Sequence, residues 1–145
     1  MDTSKFMMVR KNMFTRSGEF AFSLYNRLTC KRWTFMCVRK YRHVRWIWLK
    51  VGKETFIYLG TIGSNDRYKL TPGSKLPMSA SEHDVFIKIW TRLRENVLLP
   101  QHTEIYMSCK LCGKELTDPK SIEAGIGPCC AKKIAGKERW FARMK

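Results

Sequence analysis

The sequence predicts an α+β fold: an antiparallel β-meander of four to five strands, covered by one amphipathic helix and followed by a cysteine-bearing C-terminal knuckle. Three observations predict it. Four closely spaced segments between residues 19 and 61 are dense in aromatic and β-branched residues. One stretch beginning at Ser81 carries its apolar residues at helical spacing. Four of the six cysteines fall between positions 109 and 130, among glycines and a proline.

Residues 1–17 mix Lys5, Arg10, Lys11 and Arg16 with Phe6, Met7, Met8 and Phe14 and show no clear period. They read as a basic N-terminal arm that docks only in part. Residues 18–100 form the meander and its helix. Glu19 to Tyr25 puts Phe20, Phe22 and Leu24 on one side, the alternation of a half-buried strand. Arg32 to Tyr41 is the second strand, and Arg42-His43 turns into a third, Arg45 to Val51. Gly52-Lys53 is a hairpin turn into a fourth, Thr55 to Thr61, and Arg67 to Leu70 is a short fifth. After a Pro/Gly loop, Ser81 with Asp84 three residues on resembles a capping box. Val85, Phe86, Ile89, Trp90, Leu93 and Val97 then form one stripe, which Asn96 and Pro100 terminate.

The cysteines follow a spacing that chemistry constrains. Cys109 and Cys112 form a C-x2-C pair, and Cys129 and Cys130 follow after Gly127-Pro128. A C-x2-C turn aims two sulfurs at one point, and Gly113 frees the backbone to bend. Proline suits the first turn of a helix, where the dipole and free N–H groups favour thiolate. This is the layout of a zinc-ribbon or treble-clef site, so residues 101–136 read as a zinc-binding module. The ligands expected are Cys109, Cys112, Cys130 and Cys129, with His102 as the alternative fourth.

The run from Ser108 to Lys133 resembles a short cysteine-containing, zinc-binding domain family of unknown function. That family occurs at the C-terminus of small bacteriophage and mobile-element proteins. The pattern shared is C-x2-C-G-K-x-L-T-x-P-x-S-I-x-x-G-I-G-P-x-C-A. The resemblance maps the family's last cysteine onto Cys130 and leaves Cys129 at a variable position. Family members often carry a histidine shortly before the first cysteine, where this chain has Ile105, Tyr106, Met107 and Ser108. The resemblance implies a metal-binding module and a phage context, but no activity.

Charge narrows the partners. The 145 residues hold 28 Lys/Arg against 12 Asp/Glu, a formal net charge of +16. Residues 1–50 alone have 12 basic and 2 acidic side chains. Such asymmetry is an electrostatic footprint for a polyanion, either nucleic acid or an acidic protein surface. Rings and cations interleave most densely from Arg32 to Trp48, the composition of a sheet face that stacks bases and neutralises phosphates. The candidate nucleic-acid residues are Arg32, Arg39, Lys40, Arg42, Arg45 and Trp46, the basic ones around the Arg42-His43 turn being expected at the surface. The rings themselves fit a core as well as a platform.

No enzyme signature emerges. The three histidines, His43, His83 and His102, have no carboxylate or nucleophile at a recognisable spacing, and no phosphate-binding loop occurs. No apolar run reaches the ~20 residues of a membrane span, and no leader pattern opens the chain. With clustered cysteines, a reducing cytoplasm is the expected compartment, the host's if the chain is phage-encoded. The tail, residues 137–145, reads as basic and aromatic. The function expected is a small zinc-containing, non-enzymatic nucleic-acid-binding accessory protein. The alternative is a phage protein that binds and modulates a host enzyme through its basic surface.

Overall fold

The computed structural model describes residues 3–39, 43–53, 55–77 and 80–134. Lys40, Arg42 and the tail at 137–145 lie outside the described residues. The chain is α+β, built on a six-stranded antiparallel sheet of order β5-β4-β3-β2-β1-β6. The meander is β1 (Gly18–Asn26), β2 (Lys31–Arg39), β3 (Arg45–Gly52), β4 (Thr55–Ile62) and β5 (Tyr68–Lys69). A sixth strand, β6 (Thr103–Ser108), returns to pair with β1 from Ala21↔Ser108 to Asn26↔Thr103. The boundary expected at residue 100 therefore runs through the sheet: the segment that carries the cysteines also supplies an edge strand.

Alternation decides which side chains face the helices. Phe20, Phe22 and Leu24 of β1 stand opposite Cys37, Phe35 and Trp33 of β2, and Phe22 and Leu24 also stand opposite Met107 and Ile105 of β6. This face is the core. Phe20, Phe22, Phe35, Ile47, Leu59 and Ile105 are all buried on it. Helix α2 (Ser81–Glu95) lays Phe86, Ile89, Trp90 and Leu93 there, with Phe86 edge-on to Phe35 at 5.2 Å. Asn96 ends α2 in the left-handed region at φ 58, where asparagine is tolerated. Its N-cap is Ala80 rather than Ser81, and no side chain caps it, so the expected capping box does not form. Val97 is exposed, beyond the end of the stripe.

The N-terminal arm corrects the expectation most plainly. It is a helix, α1 (Thr3–Thr15), whose Phe6, Val9 and Met13 are fully buried in the same core. Spacings of three and four put those residues on one face. Exposed Met7 and Met8 beside them hide that face in the sequence. Among the described residues, two helices cover the sheet, not one.

The position of α1 also explains two arginines expected at the surface. Arg45 is buried: it donates to the Met13 carbonyl at 3.0 Å, pairs with Asp66, and lies 5.1 Å from the Trp90 ring and 6.0 Å from Phe14. Arg39 is half-buried and donates to the Phe14 carbonyl at 2.9 Å. Both guanidinium groups thus meet the last turn of α1, where free carbonyls and the negative end of the dipole attract cations. The expectation that Arg45 is a surface cation is corrected.

Asp66 holds this corner together. Its carboxylate pairs with Arg45, its carbonyl accepts the Trp90 indole N–H at 2.7 Å, and its own φ is 62°. Asp66→Ala leaves a buried cation without its counterion and adds strain at a left-handed position. We expect a loss of about 3 kcal/mol, the low end for breaking a buried pair because the Asp66 side chain is partly exposed. Asp66→Asn keeps an acceptor oxygen and the left-handed preference, so it should cost less. Urea melts of the two variants check the order; equal stability of Asp66→Ala and wild type would contradict it.

Candidate metal centre

The centre begins where β6 ends. The Cys109 carbonyl accepts the Gly113 N–H at 2.9 Å, and the Cys109 N–H reaches the Lys114 carbonyl at 2.8 Å, closing the C-x2-C turn. Gly113 sits at φ 79, a conformation that costs a residue with a Cβ. The chain then doubles back: Glu115 bridges Ser108, and the Leu116 N–H reaches the Met107 carbonyl at 2.9 Å. A short helix, α3 (Pro119–Ala124), stops at left-handed Gly125 (φ 73). The Gly125 carbonyl accepts the Lys110 N–H at 3.0 Å, which staples the first cysteine turn to the turn before the second pair. Residues 128–134 are helical, with Pro128 in the first turn as the Gly-Pro sequence predicts.

These turns bring Cys109, Cys112 and Cys130 together, their sulfurs all within 4.8 Å of one another. Cys109 and Cys130 are buried and Cys112 is exposed. Leu116 packs with the two buried thiols, and Leu111, Ile122 and Ile126 close around them. Cys129 is exposed and is not part of this group. The reason is helical geometry. At 3.6 residues per turn, neighbours point roughly 100° apart, so Cys129 and Cys130 do not face one point. His102 precedes β6, and the group does not include it. Of the four metal ligands expected, the structure gathers three.

The electrostatics suit an ion. Burial works against ionising Cys109, but N–H groups of Cys112, Gly127 and Leu111 outweigh it and pull the thiol down to about 7. Cys130 is pushed up to about 12, first by burial and then by its hydrogen bonds with Cys112 and Cys109, whose negative charge also opposes a second one nearby. Three thiols this close resist ionising together unless a cation joins them, and a bound cation inverts that order. The Gly127 N–H is the part sequence reasoning missed. The Gly-Ile-Gly-Pro run reads as a route into a helix, yet it also aims an amide at Cys109.

The knuckle is braced against the rest of the fold. Arg16 donates to the Ile122 carbonyl at 2.7 Å and the Glu123 carbonyl at 2.5 Å, Lys5 pairs with Glu115 at 2.9 Å, and Lys110 lies 3.7 Å from Glu19. A buried hydroxyl cluster, Ser23 with Thr34 at 2.7 Å and Ser108 at 3.0 Å, lies where β6 runs into the first cysteine.

The four described nucleic-acid candidates, Arg32, Arg39, Arg45 and Trp46, do not converge on one face. Arg32 is exposed, 5.6 Å from the Tyr106 ring, and Trp46 is half-buried, both on the sheet face away from α1 and α2. Arg39 and Arg45 are on the helix-covered face, as described above. Among the described residues no helix is long and apolar enough to cross a membrane. Neither the curated proteins nor the solved structures contain a match to the chain. Residues 100–135 match a family of unknown function (DUF6011), and this segment contains the complete three-cysteine centre.

Proposed function

We propose that this is a small zinc-containing accessory protein that binds nucleic acid, encoded by a phage or mobile element. Three converging sulfur donors from a C-x2-C turn and a helix N-terminus support a soft or borderline cation, and their spacing supports zinc. Tetrahedral zinc with 2.3 Å bonds places sulfurs about 3.8 Å apart, so the three thiols need only a small inward shift. The ion's role is structural: it ties the first cysteine turn to the second and seats both on the sheet. The phage context rests on the resemblance of the cysteine run.

The observation that carries nucleic-acid binding is the net charge of +16 in so short a chain. An acidic host protein would be drawn by the same field, and the test separates the two. Fluorescence anisotropy of a labelled mixed-sequence oligonucleotide should show log K falling linearly with log salt, by about 0.7–0.9 per phosphate contacted. Absence of binding at low salt, together with capture of one discrete acidic protein from nuclease-treated lysate, would replace this reading with the host-protein one.

A further inference from the structure

We propose that the sheet face over β2–β5, on the side away from α1 and α2, is a stacking platform for single-stranded nucleic acid. This rests on the nucleic-acid reading above and names its ligand class and its surface. The register sets Met36, Trp48 and Tyr58 side by side across β2, β3 and β4, with Trp46 and Thr61 paired one step along. Trp48 and Tyr58 pack at 5.4 Å between ring centroids.

Met36, Trp46, Trp48 and Tyr58 are half-buried and Thr61 between them is buried, whereas Phe35, Ile47 and Leu49 lie buried on the opposite face. A β-bulge between Ile47 and Trp48 keeps Tyr58 and Thr61 on one face, and their hydroxyls hydrogen-bond. Thr71 donates to the Tyr58 hydroxyl at 3.2 Å, so the tyrosine ring is held in place. A fixed ring stacks a base at little entropic cost.

Charge on this face favours a polyanion. None of the four strands β2 to β5 contains an Asp or Glu. Lys50 stands among the rings, 5.9 Å from Phe56, and exposed Lys69 and Arg32 flank them. Among the described residues, Glu19 and Glu104 share the face on β1 and β6 and Glu115 lies at its edge near Tyr106, with Glu19 near Lys110 and Glu115 paired with Lys5. The cysteine turn borders the platform, since Gly113 lies against Thr34 and Lys50. Rings on a sheet surface engage bases only where those bases are unpaired, while a duplex offers them backbone and edges. An acidic protein would be drawn by the same cations, but it would not favour an unpaired strand over a duplex.

The test compares a labelled oligothymidylate with a duplex of matching length, using wild type, Trp48→Thr with Tyr58→Thr, and Trp48→Phe. The single strand should bind at least about tenfold more tightly and quench tryptophan fluorescence. The double variant should lose about tenfold to a hundredfold of that affinity, with Trp48→Phe close to wild type. Preference for the duplex, or indifference to the double variant, overturns this inference and leaves nucleic-acid binding standing. No binding to either probe at low salt overturns both. If the double variant does not fold, photo-crosslinking of wild type to a bromodeoxyuridine oligonucleotide decides: adducts within β2 to β5 support the platform, and adducts confined elsewhere overturn it.

Discussion

Stripping the metal, or replacing Cys109 with Ser, is expected to loosen the sheet edge as well as the knuckle. The cysteine turn continues directly from β6, and β6 forms the edge beside β1. Salt bridges from Lys5 and Lys110 and the Arg16 hydrogen bonds tie α1 and β1 to the same segment. Structural zinc contributes an apparent ~10–16 kcal/mol in isolated finger peptides. Here β6 is also held by its ladder to β1, so a smaller loss is expected, on the order of 4 kcal/mol. For a chain of this size that is a fall in Tm of roughly 10 °C. Metal release should also grow as pH falls, because thiolates must take up protons to leave the ion. Thermal melts with and without chelator, plus hydrogen exchange at residues 103–108, check both statements. Unchanged Tm and unchanged exchange in β6 would mean that the knuckle and the sheet are separate units.

Phe6→Ala should be as damaging as a substitution in the middle of the sheet. Phe6 is fully buried, and α1 carries it into the same core as Phe22 and Phe35. Truncating a buried phenylalanine costs about 3–5 kcal/mol, part lost transfer energy and part cavity. Met7→Ala, on the exposed side of the same turn, should stay within about 0.5 kcal/mol. Urea denaturation of the pair separates a docked helix from a loose basic arm. Near-equal stabilities would show that α1 does not contribute to the core.

The parts legible in the sequence were those whose pattern is local. The bounds of β1, β3, β4 and α2 follow from alternation or helical stripe, within a residue or two of the structure. Both cysteine turns follow from their glycines and proline. What escaped depends on partners distant in sequence. The stretch from Glu104 to Ser108 reads as extended, but its pairing with β1 crosses some 80 residues and leaves no local mark. Arg45 reads as a surface cation because its partners, the α1 C-terminus and Asp66, are brought to it only by the fold. Cys129 and Cys130 are equivalent as letters; only the helix that begins at Pro128 turns one inward and the other out.

Metal content of three purified proteins tests the central claim most directly. Wild type and Cys129→Ser should each retain about one equivalent of zinc, and Cys130→Ser should retain none, because Cys130 and not Cys129 joins Cys109 and Cys112 at the centre. Loss of metal from Cys129→Ser, or a wild-type protein that purifies without metal and with all its thiols titratable, would contradict it.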